Sequence, residues 1–143
     1  MIVRSAKPAD APVLAVLATQ LGYPTEPEEA EARLRDVTSR PENAVLVAEA
    51  DGAVAGWIHV AGRHSLETQP FAEILALVVD EDRRGGGIGA ELVEGAADWA
   101  DRHGFRTLRV RSNVVRERTH AFYERLGFAR TKSQVVFARA VDR

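Results

Sequence analysis

The stretch from Ile74 to Ala90 reads Ile-Leu-Ala-Leu-Val-Val-Asp-Glu-Asp-Arg-Arg-Gly-Gly-Gly-Ile-Gly-Ala. Two arginines and three successive glycines separate an apolar, β-branched run from a segment in which Ile88, Leu92, Ala96 and Trp99 fall at helical spacing. The pattern is a strand buried on both faces, a glycine loop and a helix N-terminus. Such a junction leaves backbone N–H groups without partners at the positive end of a helix, which suits an anion and phosphate above all. Glycine adds φ > 0 and lets a ligand lie directly against the main chain.

Three phosphate loops share this outline. A P-loop needs Gly-Lys-Ser/Thr after its glycines, and no such lysine follows here. A dinucleotide fingerprint is satisfied in form by Gly85, Gly87 and Ala90, but it needs an acidic residue at the end of the next strand, and Arg106–Ser112 carries arginines instead. The third pattern is Arg-x-x-Gly-x-Gly, met by Arg84, Gly87 and Gly89. The alternative without a ligand is that the glycines only make a tight turn and cap, at a cost in backbone entropy.

With the preceding strand, the following helix and Phe-Tyr-Glu-Arg-Leu-Gly-Phe at 122–128, the chain resembles the GNAT superfamily of acetyl-CoA-dependent N-acetyltransferases over nearly its whole length. The resemblance implies direct attack of an amine on the thioester of acetyl-CoA, with no metal. It implies that Arg84, Gly85, Gly86, Gly87, Ile88, Gly89 and Ala90 hold the CoA phosphates. A backbone donor among Leu77, Val78 and Val79 would polarise the thioester carbonyl, with pantetheine lying along the same stretch. Tyr123 matches the family's leaving-group acid; a phenol near pKa 10 keeps its proton at neutral pH. Two positions depart from the family. Gly86 stands where a basic residue is usual, and Arg116 stands seven residues before the tyrosine, where asparagine is common. Asn113 could contact pantetheine, and Arg116 a CoA phosphate.

Glu73 is the candidate general base. Strand alternation puts it on one face with Leu75, Leu77 and Val79, and a carboxylate beside a partly apolar cleft can take a proton. A structural salt bridge is the competing role. Tyr123 has a comparable alternative as an amphipathic ring packed beside Phe122 and Phe128. His64 and His120 are lesser candidates.

The remaining elements must position these groups. The 143 residues, 45% hydrophobic and 28% charged, suit one globular domain spanning 1–143. Cysteine is absent, which removes disulfides, thiolate metal sites and a cysteine acyl-enzyme, and the four histidines lack metal-ligand spacing. A net charge of −2 gives no general attraction to nucleic acid or anionic membrane. No apolar run approaches twenty residues and no leader pattern opens the chain, so a cytoplasmic location is expected.

Pattern and punctuation predict strands at Ile2–Ala6, Ala44–Ala50, Val54–Ala61, Ala72–Asp80 and Arg106–Ser112, and a final hairpin from Ala129–Ser133 and Val135–Ala140. Helices are expected after Asp10, over Pro27 to Val37 with a Thr25–Glu28 capping box, over Ala90–His103, and over Arg118–Leu126. The expected fold is α/β, a mixed, mostly antiparallel seven-stranded sheet with helices on both sides. The resemblance adds a splay between strands 4 and 5.

In the family the acceptor site is built from the first two helices and the last hairpin. Glu26, Glu28, Glu29, Glu31 and Glu67 make this region acidic, which suits a cationic amine; the plainer account is a solvated helix face with (i, i+4) pairs. The acceptor, small amine, aminoglycoside-like compound or protein N-terminus, is left open. A non-catalytic acyl-CoA-binding module is the reading from another class. The family habit and the apolar Val135–Phe137 point to a homodimer.

Overall fold

Asp51 and Gly52, at φ 54° and 79°, turn the chain back on itself between β2 (Asn43–Ala50) and β3 (Ala53–Arg63). Two left-handed residues make the hairpin turn whose twist matches the flanking strands. β1 (Ile2–Ser5) joins one side of this pair, and β4 (Phe71–Val79) joins the other, all antiparallel. β5 (Leu108–Val110) closes the order β1-β2-β3-β4-β5 and runs parallel to β4. This is a computed structural model that describes residues 1–112 and 117–141, with the backbone alone at 117. The chain forms two compact units, Met1–Arg111 and Ser112–Arg143.

In the first unit, helices cover both sheet faces. α1 (Ala11–Gln20) and α2 (Pro27–Thr38) lie over one: Leu14 and Leu34 pack with Val45 and Val47, and Val37, Val54 and Trp57 extend the cluster. α3 (Ile88–Arg102) covers the other, burying Ile88, Leu92, Val93, Ala96, Trp99 and Ala100. α3 can approach closely because Gly56 has no side chain. A Cβ there would meet the Val78 carbonyl at 2.9 Å and Leu92 Cδ1 at 3.1 Å. Cover on both faces explains the near-continuous apolar runs of β2 and β4.

Three expectations are corrected. α2 is capped one residue later than Thr25–Glu28: the Glu26 N–H donates to Glu29 Oε1 at 2.9 Å. Pro27 sets this start, since it favours the first helical position and holds Glu26 extended. β5 is three residues long, shorter than Arg106–Ser112. The final hairpin is not formed: residues 128–141 carry no strand, so the described residues make five strands, not seven. Val135, Val136 and Phe137 are 78%, 79% and 90% exposed. A lone hairpin is marginal in water, and only Gln134, not a left-handed turn pair, separates its two halves.

The second unit contains α4 (Glu117–Arg125), which ends at Gly127 with φ 92°, the left-handed helix stop expected there. No helix among the described residues is long and apolar enough to cross a membrane.

At the sheet edge, Arg4 donates to Asp10 Oδ2 and Oδ1 at 2.8 and 2.9 Å and to Glu49 at 3.0 Å, and the Lys7 N–H also donates to Asp10. The Arg4 guanidinium, above all, holds the Asp10 carboxyl below its ordinary value. A lowered folded-state pKa stabilises the fold above the unfolded value and stops doing so as pH falls through the folded one. Asp10→Asn should therefore melt a few degrees below wild type at pH 7, with the gap closing below about pH 3.9. A gap in melting temperature that stays constant from pH 7 to pH 2 would show that the ion pair is not its source.

Candidate active site

The glycine loop lies between the end of β4 and the start of α3. Asp80 accepts the Asp82 N–H at 3.1 Å and opens a single 3-10 turn, Glu81–Arg83. Gly85 and Gly87 take φ of 86° and 83°, and Gly87 is the N-cap of α3. No side chain caps this helix, and its first intrahelical bond runs from the Glu91 N–H to the Gly87 carbonyl at 3.0 Å. The N–H groups of Ile88, Gly89 and Ala90 therefore have no partner within the helix. A Cβ on Gly85 or Gly87 would meet nothing within 4 Å, so the space above the loop is open. These features fit a phosphate-bearing ligand.

The two loop arginines do different things. Arg83 donates to Asp51 Oδ2 at 3.1 Å and to the Ala50 carbonyl at 3.2 Å, fastening the loop to the β2–β3 turn. Arg84 is exposed and makes no ion pair among the described residues. Gln20 at the end of α1 accepts the Glu81 N–H at 3.0 Å, a second tether on the same loop.

β4 pairs with β3 along its whole length, but with β5 only at Ala72, Glu73 and Ile74. Leu75 has no partner in β3, and the register there shifts by one, a bulge. Beyond it, Leu75–Val79 has no strand on its outer side among the described residues. Leu77, Val78 and Val79 all lie on this open edge.

The bulge also overturns the expected alternation. Leu77 pairs with Ile58 and Val79 with Gly56, on the α3 face. Glu73 pairs with Ala61, on the face of Trp57 beneath α1 and α2. The extra residue at Leu75 reverses the phase, so Glu73 does not share a face with Leu77 and Val79.

Glu73 is 5% exposed and engaged by two cations: Arg63 donates to Oε1 at 3.4 Å, and Arg111 Nε lies 3.6 Å from Oε2. Of the two roles open to it in the sequence, the salt bridge is the one formed. Arg109, cross-strand from Glu73, instead lies over the Phe71 ring, its guanidinium carbon 3.9 Å from the centroid. These arginines were not singled out from the sequence; Arg109 and Arg111, two apart on a strand beside a buried acid, were the available signal.

In the second unit Tyr123 is buried, its ring edge-on to Phe122 at 5.1 Å and to Phe128 at 5.4 Å. Burial pushes its phenol up to about 12. Asn113 and Arg116 lie outside the described residues. His64 pairs with Glu42, and His120 with Arg130. Two of the α2 acids pair within their helix, Glu29 with Arg33 at 3.5 Å and Glu31 with Arg35 at 2.7 Å, as the plainer account expects of those two. No group of acids and histidines that could hold a metal occurs among the described residues.

Residues 13–128 match the model of the acetyltransferase (GNAT) family. The chain belongs to that family. It is 31% identical over 106 residues, 73% of its length, to an uncharacterized N-acetyltransferase of Methanocaldococcus jannaschii. It spans about half, 47%, of that curated relative. The apo aminoglycoside 6'-N-acetyltransferase AAC(6')-IG of Acinetobacter haemolyticus superposes with a TM-score of 0.86 at 19% identity, covering 99% of this chain and 100% of that one. The aminoglycoside N-acetyltransferase AAC(6')-Iy in complex with CoA also gives 0.86 at 19%, covering 99% and 95%. At such identities the two structures speak for the fold, a GNAT fold with a mixed sheet and parallel β4–β5 pairing.

Gly87 can be tested directly. Its left-handed φ with open space above it predicts that Gly87→Val folds but loses about 1–3 kcal/mol to backbone strain. Thermal unfolding should show a drop of several degrees; an unchanged melting temperature would refute the left-handed cap.

Proposed function

We propose that this chain transfers an acetyl group from acetyl-CoA to a primary amine, by direct attack within a ternary complex. The observation that carries the reading is the uncapped N-terminus of α3, entered through left-handed glycines directly after a strand with one open edge. Family membership supports it, as does the CoA bound by AAC(6')-Iy. The N–H groups of Gly85 to Ala90, with Arg84, would hold the CoA phosphates. The open edge at Leu77–Val79 would take pantetheine as an added strand and direct one N–H at the thioester oxygen. Asn113 and Arg116 carry over as pantetheine and phosphate contacts on sequence alone. The family match crosses residue 111, which supports treating both units as one catalytic domain.

Tyr123 serves the departing sulfur. With its phenol at about 12, the proton stays on oxygen throughout the neutral range. Full transfer to a thiolate with an ordinary pKa of about 8.5 runs uphill by roughly three units, so the phenol acts foremost as a hydrogen-bond donor to the developing charge. Glu73, held by two arginines, is assigned to fixing those cations, and the amine proton leaves to water.

Thiol release from acetyl-CoA across an amine panel tests the activity. CoA binding without turnover of any amine would favour the non-catalytic acyl-CoA module. Gly87→Val should weaken CoA at least tenfold by calorimetry, since side-chain bulk blocks the main chain's approach. Tyr123→Phe keeps the ring and removes only the donor, so kcat should fall by about 10² or more with CoA affinity unchanged. Wild-type kcat in that variant, with chemistry shown to limit turnover, leaves Tyr123 a packing residue. We further propose a cytoplasmic homodimer built through the exposed Val135–Phe137. Light scattering should give twice the 15.6 kDa of one chain, and a monomer mass at micromolar concentration would sink this.

A further inference from the structure

At the start of β4, opposite its glycine-loop end, a cavity of about 210 Å³ opens beside Phe71 and Arg109, which share the sheet face of Glu73. Thr68, Gln69, Phe71, Arg106, Thr107 and Arg109 line it. All of these residues lie within the first unit. The charges here are uneven. Arg63, Arg109 and Arg111 share the face of Glu73, and Arg106 stands at the cavity. The Glu73 carboxylate is already engaged by Arg63 and Arg111. Among the described residues, Arg106 and Arg109 pair with no acid, and Glu67 in the neighbouring loop does not line the cavity. On α2, Glu29 and Glu31 are matched by Arg33 and Arg35 of the same helix.

Contact with the Phe71 ring, 3.9 Å from its centroid, holds the Arg109 guanidinium at the cavity. A planar fork with hydroxyls beside it, here Thr68 and Thr107, is suited to a carboxylate. The space is smaller than the several hundred Å³ of a whole small-molecule site, so it fits an end group rather than an entire ligand. It is also separate from the phosphate loop: Phe71 and Val79 are eight strand residues, about 26 Å, apart. The open edge of β4 begins only four residues on, about 13 Å away.

We propose that the acceptor amine carries a carboxylate, and that Arg106 and Arg109 dock it in this cavity while the amine reaches the open edge of β4. The span suits a short peptide with a free C-terminus better than a compact α-amino acid, and it disfavours a polycationic amine. The inference rests on the acetyltransferase reading above, and it names the acceptor class for that reaction.

The test uses acetylglycylglycine and its C-terminal amide, which differ only in the charged end. Each is titrated by ligand-observed NMR against wild type, Arg106→Gln, Arg109→Gln and the double variant. The acid should bind wild type at least tenfold tighter than the amide, as expected for hydrogen bonds between charged groups. Each single variant should narrow that ratio and the double variant should abolish it. Arg106 sits in an exposed loop, so Arg106→Gln keeps the test valid if loss of the Arg109–Phe71 stack unfolds the other variants. Equal binding of acid and amide, binding of neither, or a ratio untouched by Arg106→Gln overturns the proposal. In turnover, tetraglycine, whose four residues span about 13 Å when extended, should exceed tetraglycinamide in kcat/KM by a similar factor, and equal values or a preference for a polyamine also overturn it. If no amine releases thiol while the acid probe still binds through the arginines, the acetyltransferase reading fails and the carboxylate site stands.

Discussion

Everything in the first unit follows from the unequal pairing of β4. One edge is hydrogen-bonded to β3 throughout. The other is bonded to β5 for three residue pairs and is then free. A strand bonded on one side only presents a row of unused N–H and C=O groups, which soluble proteins normally cover. Here the free edge runs straight into the glycine loop and the uncapped start of α3, so two kinds of backbone hydrogen-bonding surface are continuous along the chain. The bulge at Leu75 marks where one regime ends and the other begins. Because it inserts one residue, it also determines what each face carries: a buried acid under the helix pair before it, and apolar contacts to α3 after it.

The charged groups are sorted along this strand. At its far end, Arg83 is spent on the β2–β3 turn, and the neighbouring Arg84 is exposed. At its near end, Glu73 holds Arg63 and Arg111 and leaves Arg109 stacked on an aromatic ring. At the far end one cation is structural, at the near end two are, and in each place a neighbouring arginine makes no ion pair among the described residues. Arg83 is ordered by Asp51 and the Ala50 carbonyl, and Arg63 and Arg111 by the buried Glu73; mutation at Glu73 would cost stability before function.

Much of this was legible in the chain itself. Hydrophobic period, Gly52, Gly104 and Gly127 placed the elements of the first unit and the end of α4 within a few residues, because those signals are local. The glycine turn into α3 was legible for the same reason: left-handed glycines before a helix are a short-range pattern. What failed depended on longer range. Strand alternation cannot foresee a bulge, since the extra residue is fixed by the partner strand and not by Leu75 itself. The ion pairs of Glu73 join β3, β4 and the residue after β5, which are separate in sequence. The last hairpin was read from β-branched residues at 135–136, whose strand preference takes effect only against a surface that they can pack on.

A row of main-chain donors has an unusual genetic character. The N–H groups of Ile88, Gly89 and Ala90 are the same whatever side chains those positions bear, with proline the sole exception. No side-chain truncation can remove them, so shortening the residues of the loop leaves these donors in place. Harm comes from added atoms instead, at Gly85 and Gly87, where any larger residue brings both strain and bulk. Variation in this loop is thus tolerated or penalised according to volume gained, the reverse of the rule for the packed core behind it.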